Sequence, residues 1–341
     1  MEKTKAKYLL VAATICLIGI VWLGYYFFLT SFSVSSETQH IYIDNDDNLD
    51  SVLTKLRPIT TEHGLIGFAT LVRHTNYAEQ PRTGYYIIEP DENVLTVMRK
   101  LKNGQQKAIM LTIPEAKTME KLAATLGRKL MIDSTEIATA LTDNNYCQRW
   151  EYDTCTIAAL FVPNTYEVYW NTTLDRLMER MVKEHSIFWN EERLEKAKAI
   201  GMTPNEVCTL ASIIDEETAN TEEKPMIAGM YINRLHTDMP LQADPTVKFA
   251  MKNFALRRIY RDMLLYDSPY NTYRNTGLPP GPIKIASIKG IEAVLNHTKH
   301  DFLYMCAKED FSGTHNFAVT YKEHLRNAAR YAAALNRRGI K

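Results

Sequence analysis

The chain has 341 residues, enough for two or three domains, and its 45% apolar and 23% charged residues are the mixture of a globular protein with a real core. Forty Lys and Arg balance forty Asp and Glu, so no basic excess points to nucleic acid as a partner. Five cysteines contain no CxxC pair, which leaves a zinc site without support; Cys147 and Cys155 leave a disulfide open in an oxidising compartment.

The first predicted element is apolar. Tyr8 to Leu29 carries no charge, and at 1.5 Å per residue it spans a hydrocarbon core of about 30 Å. Lys3, Lys5 and Lys7 precede it, so residues 1–7 are expected in the cytoplasm and everything beyond residue 29 outside. Trp22, Tyr25, Tyr26, Phe27 and Phe28 crowd the far end, where an interfacial belt would sit. A cleaved signal peptide fits less well, because the run is long and no small-residue cleavage site follows closely.

Residues 30–40, rich in Ser and Thr, read as a linker. Over 41–130 a strand, a turn and an amphipathic helix recur three times, at 41–56, 85–101 and 111–126, which predicts one small α/β region. From 131 to 341 the chain reads as mainly helical, with helices over 176–185, 191–200, 205–218, 224–236 and 321–338. Prolines at 240, 245, 269, 279, 280 and 282 predict loop or extended chain over 238–247 and 267–284. The fold class expected is α+β: a transmembrane helix over 8–29, a small α/β region, and a helical domain whose long loops line a site.

Chemistry concentrates in L-A-S-I-I-D-E-E-T, residues 210–218. At helical spacing Leu210, Ile213, Ile214 and Glu217 share one stripe, while Asp215 and Glu216 point elsewhere. Partial burial and the negative end of the helix dipole both raise the pKa of a carboxyl placed like Glu217, as a general acid requires. Pairing of Glu217 with Arg234 or Lys224 is the alternative. No HExxH, Gly-x-Ser-x-Gly or Walker loop occurs. His297 and His300 lack a third ligand at suitable spacing and read as surface residues, and Cys208 reads as core. The segments 231–235, 241–247, 270–273 and 277–283 combine amides, hydroxyls and aromatic rings on Pro/Gly loops, the equipment of a sugar-binding groove. Helix caps and turns would use the same residues.

The ordered motifs resemble the MltG-type (YceG-like) endolytic murein transglycosylases. They are the 210–218 segment, A-x-x-x-I-N-R-L (228–235), M-x-L-Q-A-D-P-T-V (239–247), Y-N-T-Y (270–273) and G-L-P-P-G-P-I (277–283). A-V-L-N (293–296), D-F-L-Y (301–304) and G-T-H-N-F (313–317) continue the series. Upstream, T-I-P-E (112–115) and L-F-V-P-N-T-Y (160–166) extend it, so coverage runs from about residue 84 to the end. In the family the acidic motif is usually E-K-E-T with the second glutamate catalytic, which corresponds to Glu217. Asp215, Glu216, Asn164, Ala243, His297 and Thr314 depart from the family pattern, and the extra acids beside Glu217 are expected to raise its pKa further.

The resemblance implies an endolytic lytic transglycosylase anchored in a bacterial cytoplasmic membrane, with a LysM-like region at 41–130 and the catalytic domain outside the cytoplasm. It implies cleavage between N-acetylmuramic acid and N-acetylglucosamine to a 1,6-anhydro end, with no metal and no cofactor. Gln242, Asp244, Asn271, Tyr273, His315 and Tyr166 are the residues expected to hold the glycan. Expected partners are peptidoglycan strands, the membrane and peptidoglycan synthases. Two alternatives stand beside it. One is a two-carboxylate hydrolase using Asp215 or Asp244 as base; the other is a non-catalytic wall-binding scaffold.

Overall fold

A computed structural model describes residues 2–73, 75–256 and 258–338. Met1 of the expected cytoplasmic tail and residues 339–341 of the expected C-terminal domain lie outside them. The architecture mixes helix and sheet, and the chain divides into two compact units: 1–111 with 129–131 and 167–172, and 112–128 with 132–166 and 173–341.

The first unit opens with α1 (Glu2–Phe28), long and apolar enough to cross a membrane by length and composition. Strand β1 (Gln39–Ile43), helices α2 (Leu49–Leu56) and α3 (Glu62–Arg73), and strand β2 (Gly84–Ile88) then form a β-α-α-β unit, followed by α4 (Val94–Asn103) and β3 (Ala108–Thr112). β1 and β2 pair antiparallel with Ile41 opposite Tyr86. Alternation sends Ile41, Ile43, Tyr86 and Ile88 to one face, where Val52, Leu56, Val94, Val97 and Leu101 close the core. Asn48 and Asn93 cap α2 and α4 through their side chains, and Gly104 ends α4 in the left-handed region that its missing Cβ permits.

Two features of this unit depart from the sequence reading. Within the segment read as a linker, Phe32 belongs to the core: it is 0% exposed, its N–H donates to Glu92 O at 2.8 Å and its carbonyl accepts from Thr61 N at 3.1 Å. Helix α3 was not expected, because Gly64 and Gly67 lower its intrinsic propensity. Gly67 has a packing reason: a Cβ there would lie 2.2 Å from Phe27 O, so the glycine lets the end of α1 approach α3. The Tyr26 ring stacks on His63 at 4.3 Å beside it.

The second unit contains α5 (Met119–Gly127), α6 (Ser134–Thr142), α7 (Asn144–Gln148), β4 (Thr165–Tyr169, whose first two residues fall here), α8 (Leu174–Phe188), α9 (Glu191–Ala199) and α10 (Pro204–Glu217). It continues through α11 (Lys224–His236), α12 (Asp244–Ala250), α13 (Ile288–Leu295), β5 (Tyr304–Ala307), β6 (His315–Ala318) and α14 (Tyr321–Arg337). β5 and β6 form a two-stranded antiparallel sheet, with Ala307 opposite His315. α10 is the central helix. Every residue from Val207 to Ile214 is buried, against α11, α13 and the loop residues Leu241, Ala243 and Ile283. The expected single apolar stripe is therefore a helix buried all round, and its polar members are satisfied internally: Ser212 Oγ donates to Thr209 O at 2.7 Å and accepts from Ile283 N at 3.0 Å.

The 238–247 segment, expected as loop or extended chain, turns into α12 at Asp244. Pro245 sits in the first turn, where its missing N–H has no helical partner to lose. Cys208 is core as expected, and Cys147 and Cys155 are free thiols.

Candidate active site

Helix α10 is built to end at Glu217. Its start is a capping box in which Thr203 and Glu206 satisfy each other's backbone N–H groups, with Pro204 in the first turn. Its last turn leaves the core at Asp215, and Glu217 closes the helix at the negative end of its dipole. Glu217 is half-buried. Burial pushes its carboxyl up from 4.5 to about 7, and the Asp244 carboxylate adds to that rise. A hydrogen bond from Tyr231 opposes it, and so does the Lys248 ammonium. Tyr231 Oη donates to Glu217 Oε1 at 2.8 Å from a side chain only 2% exposed.

Neither pairing weighed as an alternative for Glu217 forms. Arg234 spends its guanidinium on carbonyls, those of Leu303 at 2.6 Å, Leu241 at 2.8 Å and Pro240 at 3.1 Å. Lys224 pairs with Asp215, which is itself 2% exposed and also accepts from Ser287 N at 2.7 Å and Ser287 Oγ at 2.8 Å. Glu216 pairs with Lys117 and lies 3.6 Å from Lys284. The two acids preceding Glu217 are thus matched by lysines, and the expectation that they raise its pKa is replaced by burial and Asp244 as the causes.

Three loops converge around this carboxyl. Asp244 opens α12 and is exposed; its Oδ1 accepts from Tyr273 Oη at 2.6 Å. Burial, the Asp244 bond and the nearby Glu217 charge all hold the Tyr273 phenol far above its usual range, so it stays a donor. His315 begins β6, with Nδ1 2.9 Å from Glu223 Oε2 and its backbone N–H donating to Glu223 Oε1 at 2.6 Å. A carboxylate on Nδ1 favours the tautomer protonated there and leaves Nε2 for another partner. Gln242 is exposed with φ +51, an unusual conformation for a residue with a Cβ, held by its N–H donating to Thr272 O at 3.1 Å. Thr246 and Thr272, both buried, join the two loops through hydroxyls 2.9 Å apart.

Two of the residues expected to hold the glycan are buried. Asn271 is 0% exposed; its amide donates to Leu264 O at 2.9 Å and Tyr266 O at 2.8 Å, and its oxygen accepts from Tyr273 N at 3.0 Å. It shapes the loop that carries Tyr273 and presents no polar atom to solvent. Tyr166 is buried, with its hydroxyl donating to Val162 O at 2.8 Å. Conversely, Tyr231, Glu223 and Lys248 belong to the arrangement and were not singled out as site residues. Tyr231 was visible as a lone hydroxyl among Ile227, Met230 and Ile232; nothing local marked Glu223 or Lys248. Among the described residues no group of three or more His, Cys, Asp or Glu is placed to hold a metal ion. His300 packs inward, with Nε2 2.9 Å from Met226 O.

The arrangement is a single carboxyl able to give and take a proton near neutral pH, set among donors and acceptors on a mixed helix-and-sheet chain. The chain belongs to the YceG-like family, whose model matches residues 41–330. It is 30% identical over 325 residues to an endolytic murein transglycosylase of Streptococcus pneumoniae, covering 85% of this chain but 57% of that protein. It is 28% identical over 318 residues to an endolytic murein transglycosylase of Bacillus subtilis, covering 89% of this chain and 87% of the relative. The chain thus spans little more than half the length of the pneumococcal relative. Among solved structures, a crystal structure of a putative YceG-like protein from Listeria monocytogenes matches with a TM-score of 0.55 at 26% identity, covering 86% of this chain and 99% of that one.

Proposed function

We propose that this chain is an endolytic murein transglycosylase with Glu217 as its single acid/base. The observation that carries the reading is the state of that carboxyl: half-buried, raised to about 7, bonded to a neutral phenol and, among the described residues, without an ion pair. A group in that state protonates the glycosidic oxygen between N-acetylmuramic acid and N-acetylglucosamine as the C1–O bond breaks. The resulting carboxylate takes the proton of the muramyl 6-hydroxyl as that oxygen bonds to C1, which closes the 1,6-anhydro ring and restores the acid. Gln242, Asp244, Tyr273 and His315 are assigned to the glycan and to the positive charge that develops at C1. Asn271 and Tyr166 act by shaping the loops.

The test is digestion of purified sacculi by the full chain and by Glu217→Gln. Wild type releases anhydro-ended products that the variant does not release; cleavage at near wild-type rate by Glu217→Gln would overturn the assignment. Asp244 favours one second reading, because an exposed carboxylate near Glu217 is placed to activate water. A hydrolytic end is heavier than an anhydro end by one water, so mass spectrometry of the same products decides between them.

Three further assignments belong to this proposal. The exposed apolar surface of α1, including Leu9, Ile15, Ile18 and Val21, fits a single-pass anchor. The β-α-α-β unit fits a LysM-like wall-binding module. Tethering would hold the site where nascent glycan leaves its synthases, so that cleavage ends growing strands.

A further inference from the structure

Two adjoining hollows in the second unit follow α12. The smaller, about 50 Å³, is lined by Lys117, Glu216, Lys248, Phe249 and Phe254. The larger, about 230 Å³, shares Lys117, Phe249 and Phe254 and continues to Lys252 and Tyr270. Asp244 and Lys248 stand four residues apart on α12, and the smaller hollow is lined by Lys248 and by Glu216, the residue before the candidate acid, while Glu217 itself lines neither hollow. Helix α12 ends at Ala250, and Lys252 follows it with φ +50, so the larger hollow continues past the C-terminal end of the helix.

The lining is aromatic and cationic. Lys117 and Lys121 hold their ammonium groups 5.8 Å and 5.7 Å from the Phe254 ring centre. Lys117 is matched by Glu216 and Lys284 by Glu115, whereas among the described residues neither Lys248 nor Lys252 makes an ion pair. Glu120 shares the rim near Lys252, and its carboxyl is held low first by backbone and Thr118 hydrogen bonds and only lastly by that lysine. Lys117, Lys248, Lys252 and Lys284 therefore face Glu120, Glu216 and, at Lys284, Glu115, which leaves one net positive charge. A neutral saccharide would stack on the rings and leave the ammonium groups unmatched. An acidic peptide uses both.

We propose that these hollows form a subsite for the carboxylate-bearing peptide stem of the glycan, running from Glu216 and Lys248 past the end of α12 to Lys252. The inference rests on the reading of Glu217 as a glycan-cleaving acid and adds what the enzyme recognises beyond the sugar. Stems enter with the sugar chain at Glu217, their apolar portions against Phe249 and Phe254 and a free carboxylate at Lys248 or Lys252.

Binding without cleavage tests it, using the full chain carrying Glu217→Gln and three probes: strands that keep their stems, strands stripped of stems by an amidase, and chitin oligosaccharides. Stem-bearing strands should bind about tenfold tighter than stripped ones, and added salt should narrow the gap. Lys252→Glu should abolish that preference while leaving affinity for stripped strands unchanged, Lys252→Arg should keep it, and Phe254→Ala should weaken it selectively. Equal affinity for stem-bearing and stripped strands, or a Lys252→Glu loss of the same size on both, overturns the subsite. Affinity for stripped strands that matches chitin separates a sugar contact from one to the lactyl carboxylate exposed by stripping, and so supports the stem as the acidic partner. Failure of the Glu217 reading shows up separately, as cleavage by Glu217→Gln.

Discussion

Tyr231 supplies the sharpest prediction. Its phenol is buried and donates to Glu217 Oε1 at 2.8 Å, which favours the ionised carboxylate and holds the pKa down against burial. A hydrogen bond to a charged group contributes about 1.5–3 kcal/mol, of which the difference between the two protonation states is a part. Tyr231→Phe removes the donor and keeps the ring, so the Glu217 pKa should rise from about 7 by roughly one pH unit, each unit being about 1.4 kcal/mol. The first step uses protonated Glu217, so wild-type kcat/KM on isolated strands should fall as pH rises through about 7. In Tyr231→Phe that falling limb should move to higher pH, with thermal stability checked at each point. A limb that stays put while the rate drops uniformly would refute the argument, because a merely structural loss moves no titration.

Glu217→Gln has a second signature, in stability. The folded-state pKa of about 7 lies above the ordinary 4.5, so the stabilisation from the neutral form is complete below about 4.5 and is lost as pH rises to 7. The non-titrating variant should therefore be more stable than wild type above pH 7, by about 1–2 kcal/mol after allowance for solvent contact, and equal to it in acid; thermal melts across pH check this. Asp215→Ala should cost about 3 kcal/mol in denaturant unfolding, since it leaves Lys224 buried without its partner and strips Ser287 of an acceptor at the start of α13. Cleavage by the surviving folded fraction should persist, against a role for Asp215 as a water-activating base. Gly67→Ala should lower the melting temperature of the full chain in detergent, because the added Cβ meets Phe27 O at 2.2 Å and must part α1 from α3.

Much of the site was legible from local pattern. Helical spacing placed Glu217 at the end of an apolar segment, and α10 does end there. The clustering of 241–247 with 270–273 anticipated loops that meet, as the Thr246–Thr272 and Asp244–Tyr273 contacts show. Polar residue type did not distinguish a side chain at the surface from a buried loop tie. Asn271 and Tyr273 are two apart and chemically similar, yet Asn271 faces backbone carbonyls inside and Tyr273 meets Asp244 at the surface. The linker reading failed at Phe32 for a related reason. Ser/Thr composition describes solvation on average, and one aromatic side chain inserted in a core overrides it.

The sequence by itself determined many of the helices, that α10 ends at Glu217, and that one N-terminal helix is apolar enough for a bilayer, because periodicity, caps and proline act over a few residues. Only the tertiary structure decided that Glu216 pairs with Lys117, distant along the chain, that Tyr231 donates to Glu217, and that Asp244 raises its pKa. Those are long-range electrostatic and hydrogen-bond partnerships, created when the core brings distant residues within a few ångströms, and no local pattern encodes them.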